Sequence, residues 1–414
     1  MPAGLAGGAY NNIFPVMNSP EKRSTGFHGD TGLPVPDDHA LTHSRRLADR
    51  IRAVIRGEGG AISFSRYMEL ALYEPGLGYY SAGARKFGEA GDFITAPELS
   101  PLFSRCVARQ CLEILDIVAG GSLLEIGPGS GVMACDILLA LEQLGRLPAT
   151  YLMLETSADL RERQRALVRE RIPRLARKVM WLDSLPEQTF DGLVLGNEVL
   201  DALPVDRIVI DGKEIRELAV VSDQDGFTWR ARPLTAPLRS FVDGLFAGAV
   251  PDLPPGYVIE INSRLGPWLA ALSEKLRRGI MLFFDYGWPR RDYLHPQRSD
   301  GTLLCHYRHR RHQDPFLYPG LQDITAAVDF TLVAEAAADA GMTVSGYTTL
   351  AHFLMGCGLE QAMASERDQA ESARQARILT LPGEMGENVK VIALAKAVDM
   401  ALCGFRFFDQ RRRL

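Results

Sequence analysis

The chain has 414 residues, of which 46% are hydrophobic and 23% charged, and its formal net charge is -5. This length exceeds the usual limit for a single core in a globular protein, so we expect one large domain with insertions, or two domains. The small negative charge gives no indication of nucleic-acid binding, and no apolar run is long enough to span a membrane.

The N-terminal third is predicted to be mostly helical. Residues 1–40 are rich in Gly, Pro, Asn and Asp and are expected to form a loosely ordered tail. Residues 41–118 are predicted to form a helical region. Apolar residues recur there at helix spacing around Leu47, and a second helix is predicted to begin near Ser65 as its N-cap. A glycine-rich loop follows over 83–97.

Short apolar strands alternate with helices over residues 119–204. Strands are predicted over 123–126, 151–154, 179–182 and 192–195, and helices over 132–144 and 160–171. This alternation is typical of a parallel sheet covered by helices on both faces, so the segment is predicted to be the core of an α/β fold.

The alternation of strands and helices ends after Pro204. Residues 205–279 are predicted to form an inserted β-meander and helices, with Asp211-Gly212 as a hairpin turn. Residues 280–414 return to the core sheet, with a helix over 330–340 and strands over 280–285, 344–349 and 389–395. The insertion 287–325 is too long for a simple connection and is expected to be functional or partner-facing.

Cysteine and histidine usage predicts no metal site. The six cysteines are scattered without a Cys-x-x-Cys pair, which favours reduced thiols over a disulfide framework. The His- and Arg-rich run 305–312 does not have the spacing of a zinc site. It is interpreted as a solvated basic loop that could meet an acidic partner surface.

The first predicted strand leads into Gly127-Pro128-Gly129-Ser130-Gly131. Glycines permit positive φ angles and a close approach of backbone to ligand, and such a turn after a strand makes a nucleotide pocket. The spacing differs from the Gly-x-Gly-x-x-Gly fingerprint of dinucleotide folds. It therefore favours S-adenosylmethionine, which has no phosphate, over NAD, and Glu125 could serve the amino-acid end of that ligand.

Acidic residues follow the other core strands. Glu155 lies where ribose hydroxyls are bound in nucleotide folds, and the alternative is an exposed strand-end carboxylate. Asp183 lies where an adenine amino group would need an acceptor. Asn197, Glu198 and Asp201 follow the fourth strand, beside the expected methyl donor. Carboxylates there could hold a guanidinium bidentately and accept its proton, or could simply cap the next helix.

Several segments in chain order resemble the MidA-like family of class I S-adenosylmethionine-dependent methyltransferases. This family includes a mitochondrial protein-arginine methyltransferase needed for the assembly of respiratory complex I. The resemblance covers residues 62–396 and rests on the segments 67–73, 78–80, 91–100, 125–131, 196–204, 285–287, 301–303, 323–325 and 328–330.

The resemblance implies a Rossmann-like class I methyltransferase sheet that is mostly parallel, with an antiparallel last strand. It also implies that S-adenosylmethionine is bound by the glycine turn, with Gly127, Gly129 and Gly131. A loop would cover the cofactor with residues Asp92, Thr95, Pro97 and Glu98. One departure is Ala327, where members of the family often carry His.

The resemblance makes a protein side chain, with arginine favoured, the expected methyl acceptor, and a homodimer one option for the oligomeric state. Two alternatives remain: an assembly factor or chaperone that uses the cofactor as a structural ligand, and a small-molecule methyltransferase. Residues 1–40 lack the Arg-rich character of a mitochondrial presequence. This favours a bacterial, cytoplasmic protein over one of the mitochondrial matrix.

Overall fold

Helices precede the first strand in the computed structural model, which describes residues 33–82, 95–212, 214–224 and 226–414. These helices are Asp38–Gly57 (α1), Phe64–Tyr73 (α2), Ala96–Leu99 (α3) and Pro101–Ile117 (α4). The N-cap of α2 is Ser63, whose hydroxyl accepts a hydrogen bond from the Arg66 N–H at 3.1 Å. The prediction of Ser65 as the cap is wrong, because its hydroxyl instead donates to Asp206 at 2.5 Å.

Strands and helices then alternate as the sequence predicts. They are Ser122–Ile126 (β1), Val132–Gln143 (α5), Tyr151–Leu154 (β2), Ala158–Arg171 (α6), Val179–Leu182 (β3) and Phe190–Asn197 (β4). Strand β1 pairs in parallel with both β2 and β4, and β2 pairs in parallel with β3. Leu123 and Leu124 are both fully buried, in the cores on opposite faces of the sheet. Burial on both faces explains the continuous apolar runs.

A second sheet is inserted after β4. Its elements and the helices beside them are Asp206–Asp211 (β5), Glu214–Ser222 (β6), Phe227–Pro233 (β7), Ala236–Leu245 (α7), Tyr257–Ile261 (β8) and Leu265–Lys275 (α8). The strand order is β7-β6-β5-β8, and every neighbouring pair is antiparallel. The predicted meander and its turn at Asp211-Gly212 are confirmed, whereas β8 was not predicted.

The chain returns to the central sheet and then forms a third, small sheet. The elements are Leu276–Trp288 (β9), Arg290–Tyr293 (α9), Leu304–Tyr307 (β10), Arg310–His312 (β11), Asp323–Thr325 (β12), Val328–Asp329 (β13), Phe330–Asp339 (α10) and Thr343–Thr349 (β14). Strands β11, β10 and β12 pair in that order. The insertion 287–325 is therefore not a simple connection, because it contains a short helix and the three strands of this sheet.

Four helices and a strand follow: Leu350–Gly356 (α11), Leu359–Ala364 (α12), Gln369–Thr380 (α13), Met385–Asn388 (α14) and Val389–Lys396 (β15). The central sheet has the order β14-β15-β9-β4-β1-β2-β3, and β15 is antiparallel to both neighbours. This confirms the predicted Rossmann-like sheet with an antiparallel last strand. Within the described ranges, no helix combines the length and the apolarity needed to cross a membrane.

Candidate active site

A cavity of about 330 Å³ opens at the carboxyl ends of β1, β2 and β4. Parallel strands bring these ends to one edge of the sheet, where ligands of α/β folds bind. The predicted site residues in its wall are Thr95, Pro97, Glu98, Glu125, Gly127, Gly129, Glu155, Asn197 and Glu198. The fold thus collects at one cavity residues that are up to about a hundred positions apart in the chain.

The turn after β1 needs its glycines. Gly127, Gly129 and Gly131 have φ angles of 60°, 54° and 86°, a left-handed region that other residues rarely adopt. Gly131 is the N-cap of α5 and does not line the cavity. A Cβ atom on Gly131 would lie 3.1 Å from the Gln164 side chain, so this glycine supports the turn from behind.

Gln164 of α6 fixes the position of the turn. Its amide nitrogen donates a hydrogen bond to the Gly129 carbonyl at 2.9 Å, and its amide oxygen accepts one from the Trp181 indole at 3.0 Å. The same amide nitrogen lies 3.3 Å from a carboxylate oxygen of Glu155. The glycine turn and the end of β2 are therefore joined through one buried side chain.

Two buried carboxyl groups form the floor of the cavity. Glu125 accepts a hydrogen bond from the Tyr151 hydroxyl at 2.7 Å. Burial raises the pKa of Glu125 to about 7, and the charge of Glu155 adds to the rise while the Tyr151 bond opposes it. Glu155 accepts a hydrogen bond from the Ser157 N–H at 2.8 Å. Glu155 is therefore a buried residue in the cavity wall rather than an exposed strand end.

Helix α3 bridges the two sides of the cavity. The Ser130 hydroxyl in the glycine turn donates a hydrogen bond to the Glu98 carboxylate. At the other end of α3, the Ala96 N–H donates to the Glu198 carboxylate. Thr95, Pro97 and Glu98 thus lie at the cavity, where the family resemblance placed them, whereas Asp92 lies outside the described residues.

The turn after β4 is held by Asp285 of β9. Glu198 itself has a φ angle of 51°, which is uncommon for a residue other than glycine. One carboxylate oxygen of Asp285 accepts hydrogen bonds from three successive N–H groups, those of Val199 at 3.0 Å, Leu200 at 2.7 Å and Asp201 at 3.3 Å. The Asp285 side chain, which is fully buried, therefore positions Glu198 at the cavity.

A second cavity of about 420 Å³ adjoins the first, and Tyr80 and Glu198 line both. Asp201 and Asp323 add two further carboxyl groups to the wall of the second cavity. The Tyr80 hydroxyl donates a hydrogen bond to Asp323 at 2.9 Å. Glu198 is thus the carboxyl group that the two cavities have in common.

The His- and Arg-rich run is part of this second cavity. Cys305 and Tyr307 are buried in β10, on one face of the small sheet, while His306, His309 and Arg311 line the cavity. Side chains of a strand alternate between its faces, which accounts for this division. The interpretation of 305–312 as a solvated loop is therefore wrong for Cys305 and Tyr307, which are buried in a strand, whereas residues 308–311 are exposed.

Burial raises the pKa of two carboxyl groups of the second cavity, those of Glu198 and Asp201. It raises the pKa of Glu198 to about 8, with the charges of Asp285 and Asp323 adding to the rise and the Asn197 amide opposing it. Burial also raises the pKa of Asp201 well above its usual range, again with the charge of Asp285. Glu198 and Asp201 therefore hold protons near neutral pH that a bound cation would displace.

Two predicted site residues are placed elsewhere. Asp183 is 78% exposed in its side chain, lies 3.9 Å from Arg161 and does not line either cavity. It follows β3, the edge strand of the central sheet, and the turn there faces solvent. Asp201 lines the second cavity rather than the first.

Asp285, Asp323 and Tyr80 had no predicted role at the site. Asp285 ends an apolar run, and a carboxyl group inside a buried strand needs several hydrogen-bond donors. That requirement is a signal which could have identified it. Asp323 and Tyr80 are 243 positions apart, so only the folded chain shows that they meet.

Comparisons with known proteins place the chain among methyltransferases. Residues 106–348 match a family described as "Putative S-adenosyl-L-methionine-dependent methyltransferase". The mitochondrial protein arginine methyltransferase NDUFAF7 of Homo sapiens is 28% identical over 379 residues, covering 81% of this chain and 80% of its own. Its Drosophila melanogaster homolog is 30% identical over 390 residues and covers 85% of both chains.

Solved structures agree with this placement. A crystal structure of a Burkholderia thailandensis protein bound to S-adenosyl-homocysteine has a TM-score of 0.88 and 42% identity. It covers 92% of this chain and 100% of its own. A native crystal structure from the same organism has a TM-score of 0.85 and 41% identity over the same shares.

The names of the curated relatives overturn one prediction. Both NDUFAF7 relatives are mitochondrial proteins, so the prediction of a bacterial, cytoplasmic location is wrong. That prediction used only the composition of residues 1–40. The predicted family, cofactor and enzyme class are confirmed. The chain belongs to the MidA-like family and is an S-adenosyl-L-methionine-dependent methyltransferase.

Proposed function

We propose that this enzyme methylates a nitrogen of an arginine side chain in a protein substrate. The observation that carries the proposal is the place of Glu198 in the walls of both cavities. A guanidinium in the second cavity would meet Glu198, Asp201 and Asp323, and carboxylates bind its planar fork through paired, charge-assisted hydrogen bonds. The protein arginine methyltransferases among the relatives support the same class of substrate.

The first cavity suits the cofactor in shape and charge. Its wall combines the left-handed glycines, which leave backbone accessible, with Glu125 and Glu155. Glu155 stands where nucleotide folds bind ribose hydroxyls, and Glu125 suits the amino group. When bound, S-adenosylmethionine supplies a methyl group on a positively charged sulfur. We assign Thr95, Pro97 and Glu98 to the same wall and leave Asp183 out of it.

Replacing Gly129 by Val should weaken cofactor binding at least about 100-fold, or about 2.8 kcal/mol. Gly129 has a φ angle of 54° in the cavity wall, where a β-branched residue is strained and would displace the backbone that lines the cavity. Calorimetric titration with S-adenosyl-homocysteine measures the dissociation constant.

Gly145→Val is the matched control for this variant. Gly145 is also left-handed, with a φ angle of 75°, but a Cβ atom there meets nothing within 4 Å and the residue does not line the cavity. We expect cofactor affinity like that of the unaltered protein. If Gly129→Val bound the cofactor within about threefold of this control, the assignment of the glycine turn would fail.

The carboxyl groups of the second cavity would also handle the proton that the substrate loses. A guanidinium is charged in proteins, so forming its new N–C bond requires a nitrogen to release one proton. Glu198, ionised once the cation is bound, is the acceptor that we assign, with Asp201 beside it. Tyr73 and Tyr80, whose ring centroids are 5.5 Å apart, help to exclude water from the junction of the cavities.

The proposal predicts a pH dependence for arginine binding. Glu198 has a pKa of about 8 before a cation enters and must be ionised to pair with one. The affinity for acetyl-arginine-methylamide should therefore rise about tenfold per pH unit below pH 8 and level off above it, because one proton leaves on binding. Calorimetry on the protein saturated with S-adenosyl-homocysteine, from pH 6 to about pH 9, measures this profile.

Acetyl-lysine-methylamide and the Glu198→Gln variant serve as controls for that titration. The lysine compound should bind more weakly, since an ammonium cannot form the paired contacts of a guanidinium. The variant should bind arginine weakly and with a shallower profile. Equal affinity for both compounds, or a profile that falls as the pH rises, would contradict the arginine assignment.

We also propose that separate segments of the chain form separate parts of the site. Residues 119–204 supply most of the first cavity, and 41–118 add its cover through Thr95, Pro97 and Glu98. Residues 280–414 supply the wall of the second cavity that faces Glu198. Residues 205–279 form the inserted sheet and its helices. A homodimer stays a prediction, which light scattering on the purified protein would test.

A further inference from the structure

The small three-stranded sheet presents one row of side chains to the second cavity. In its register, His306 of β10 is opposite Arg311 of β11 on one side and opposite Asp323 of β12 on the other. Directly opposed residues lie on the same face of a sheet. All three line the second cavity, whereas Tyr307 and Arg310, the neighbouring pair, do not.

The row has opposite charges at its two ends. Neighbouring strands are roughly 4.8 Å apart, so Arg311 and Asp323 are separated by roughly 10 Å at the backbone. His306 between them is neutral near pH 7, because burial and then the charge of Arg311 lower its pKa to about 4. The Asp323 end is continued by Glu198 and Asp201.

Arg311 is the single arginine in the described wall of this cavity, and no lysine is found there. Four acidic residues line the same cavity, Glu198, Asp201, Asp323 and Glu384. None of the carboxylates in the described ranges forms an ion pair with Arg311. A guanidinium in this position keeps its five donors available to a ligand.

We propose that Arg311 binds a carboxylate of the substrate, namely the side chain of an Asp or Glu close to the methylated arginine. The inference rests on the proposed function, because it takes the acidic end of the row as the guanidinium site. Arg311 would thereby select arginines that have an acidic neighbour in the protein chain.

The dimensions suit residues one or two positions from the target. In an extended peptide, residues two positions apart lie on one face with Cα atoms roughly 7 Å apart. The long, flexible side chains of Arg and Glu cover the remaining separation to about 10 Å between the two ends of the row. The second cavity would then accept the charged ends of both side chains.

The test compares acetylated and amidated peptides that contain one arginine, with Glu, Gln or Lys placed one or two positions away. Calorimetry on the protein saturated with S-adenosyl-homocysteine gives the three affinities at each position. At the better position, the Glu peptide should bind about tenfold more tightly than the Gln peptide, as for one charge-assisted hydrogen bond at a half-exposed site. The Lys peptide should bind less tightly than the Gln peptide.

Variants of β11 distinguish a direct contact between Arg311 and the peptide from an effect of the overall charge near the cavity. Arg311→Gln should remove the preference for Glu, and Arg311→Glu should reverse it in favour of Lys. Arg310→Glu introduces the same change of charge one residue away, on the face that does not line the cavity, and should keep the tenfold preference.

Two outcomes would overturn the inference. The first is equal affinity for the Glu and Gln peptides, which would leave arginine recognition intact. The second is an equal change in the preference for the Glu peptide in Arg310→Glu and Arg311→Glu. If replacing the arginine of the peptide by Gln did not weaken binding, the proposed function would fail and the inference with it.

Discussion

Glu198→Gln should lower the rate of methyl transfer by a factor of about 10²–10⁴. The change keeps the shape of the side chain but removes the charge that pairs with a guanidinium and accepts its proton. Cofactor binding should change little, because the glycine turn, Glu125 and Glu155 are unaltered. Single-turnover transfer from labelled S-adenosylmethionine, beside calorimetric titration of the cofactor, separates the two effects.

Glu384→Gln is the control for this variant. Glu384 also lines the second cavity, but it lies between α13 and α14 and is exposed. Its loss should leave the rate within about twofold, as expected for a solvated carboxylate. The assignment of Glu198 would be refuted by a Glu198→Gln enzyme that transferred methyl groups as fast as Glu384→Gln.

Asp285→Ala should destabilise the protein by about 3 kcal/mol. It leaves the N–H groups of Val199, Leu200 and Asp201 without their acceptor, and each buried unpaired donor costs about 1–3 kcal/mol. The turn would also lose the support that holds Glu198 in its left-handed conformation. The rate of methyl transfer should therefore fall together with the stability. Urea denaturation of the cofactor-free protein measures the free energy of unfolding.

Asp292→Ala provides the comparison on the surface. Asp292 forms an ion pair with Arg413 at 2.5 Å, and both side chains are well exposed. Removing such a pair costs about 0–1 kcal/mol, so its urea midpoint should stay near that of the unaltered protein. Equal midpoints for Asp285→Ala and Asp292→Ala would show that Asp285 does not hold the turn.

The central sheet was predictable because its strands are buried on both faces. Apolar runs such as 280–285 and 389–395 report that burial directly, and their alternation with helices indicates parallel pairing. Strand β8 gave a weaker signal, since Tyr257, Ile259 and Ile261 alternate with Val258 and Glu260 after a Pro- and Gly-rich turn. Strands β10 to β12 gave the weakest strand signal of the three, because they are short and rich in His and Arg.

The residues that line the first cavity could be predicted for a related reason, whereas those that line the second cavity could not. Residues at the ends of successive parallel strands share one edge of the sheet, so Glu125, Glu155 and Glu198 could be grouped from order alone. The rule fails for Asp183, because an edge strand can end in solvent. The second cavity joins Tyr80, Asp201 and Asp323 from separate parts of the chain, and no local pattern reports such long-range contacts.

The most direct measurement is mass spectrometry of arginine-containing peptides from cells that lack the endogenous gene. Such cells would express either the unaltered protein or Glu198→Gln. We expect at least one arginine of a cellular protein to carry a methyl group only in cells with the unaltered protein. Identical methylarginine in both samples, with a methyl difference confined to small molecules or to another type of side chain, would contradict it.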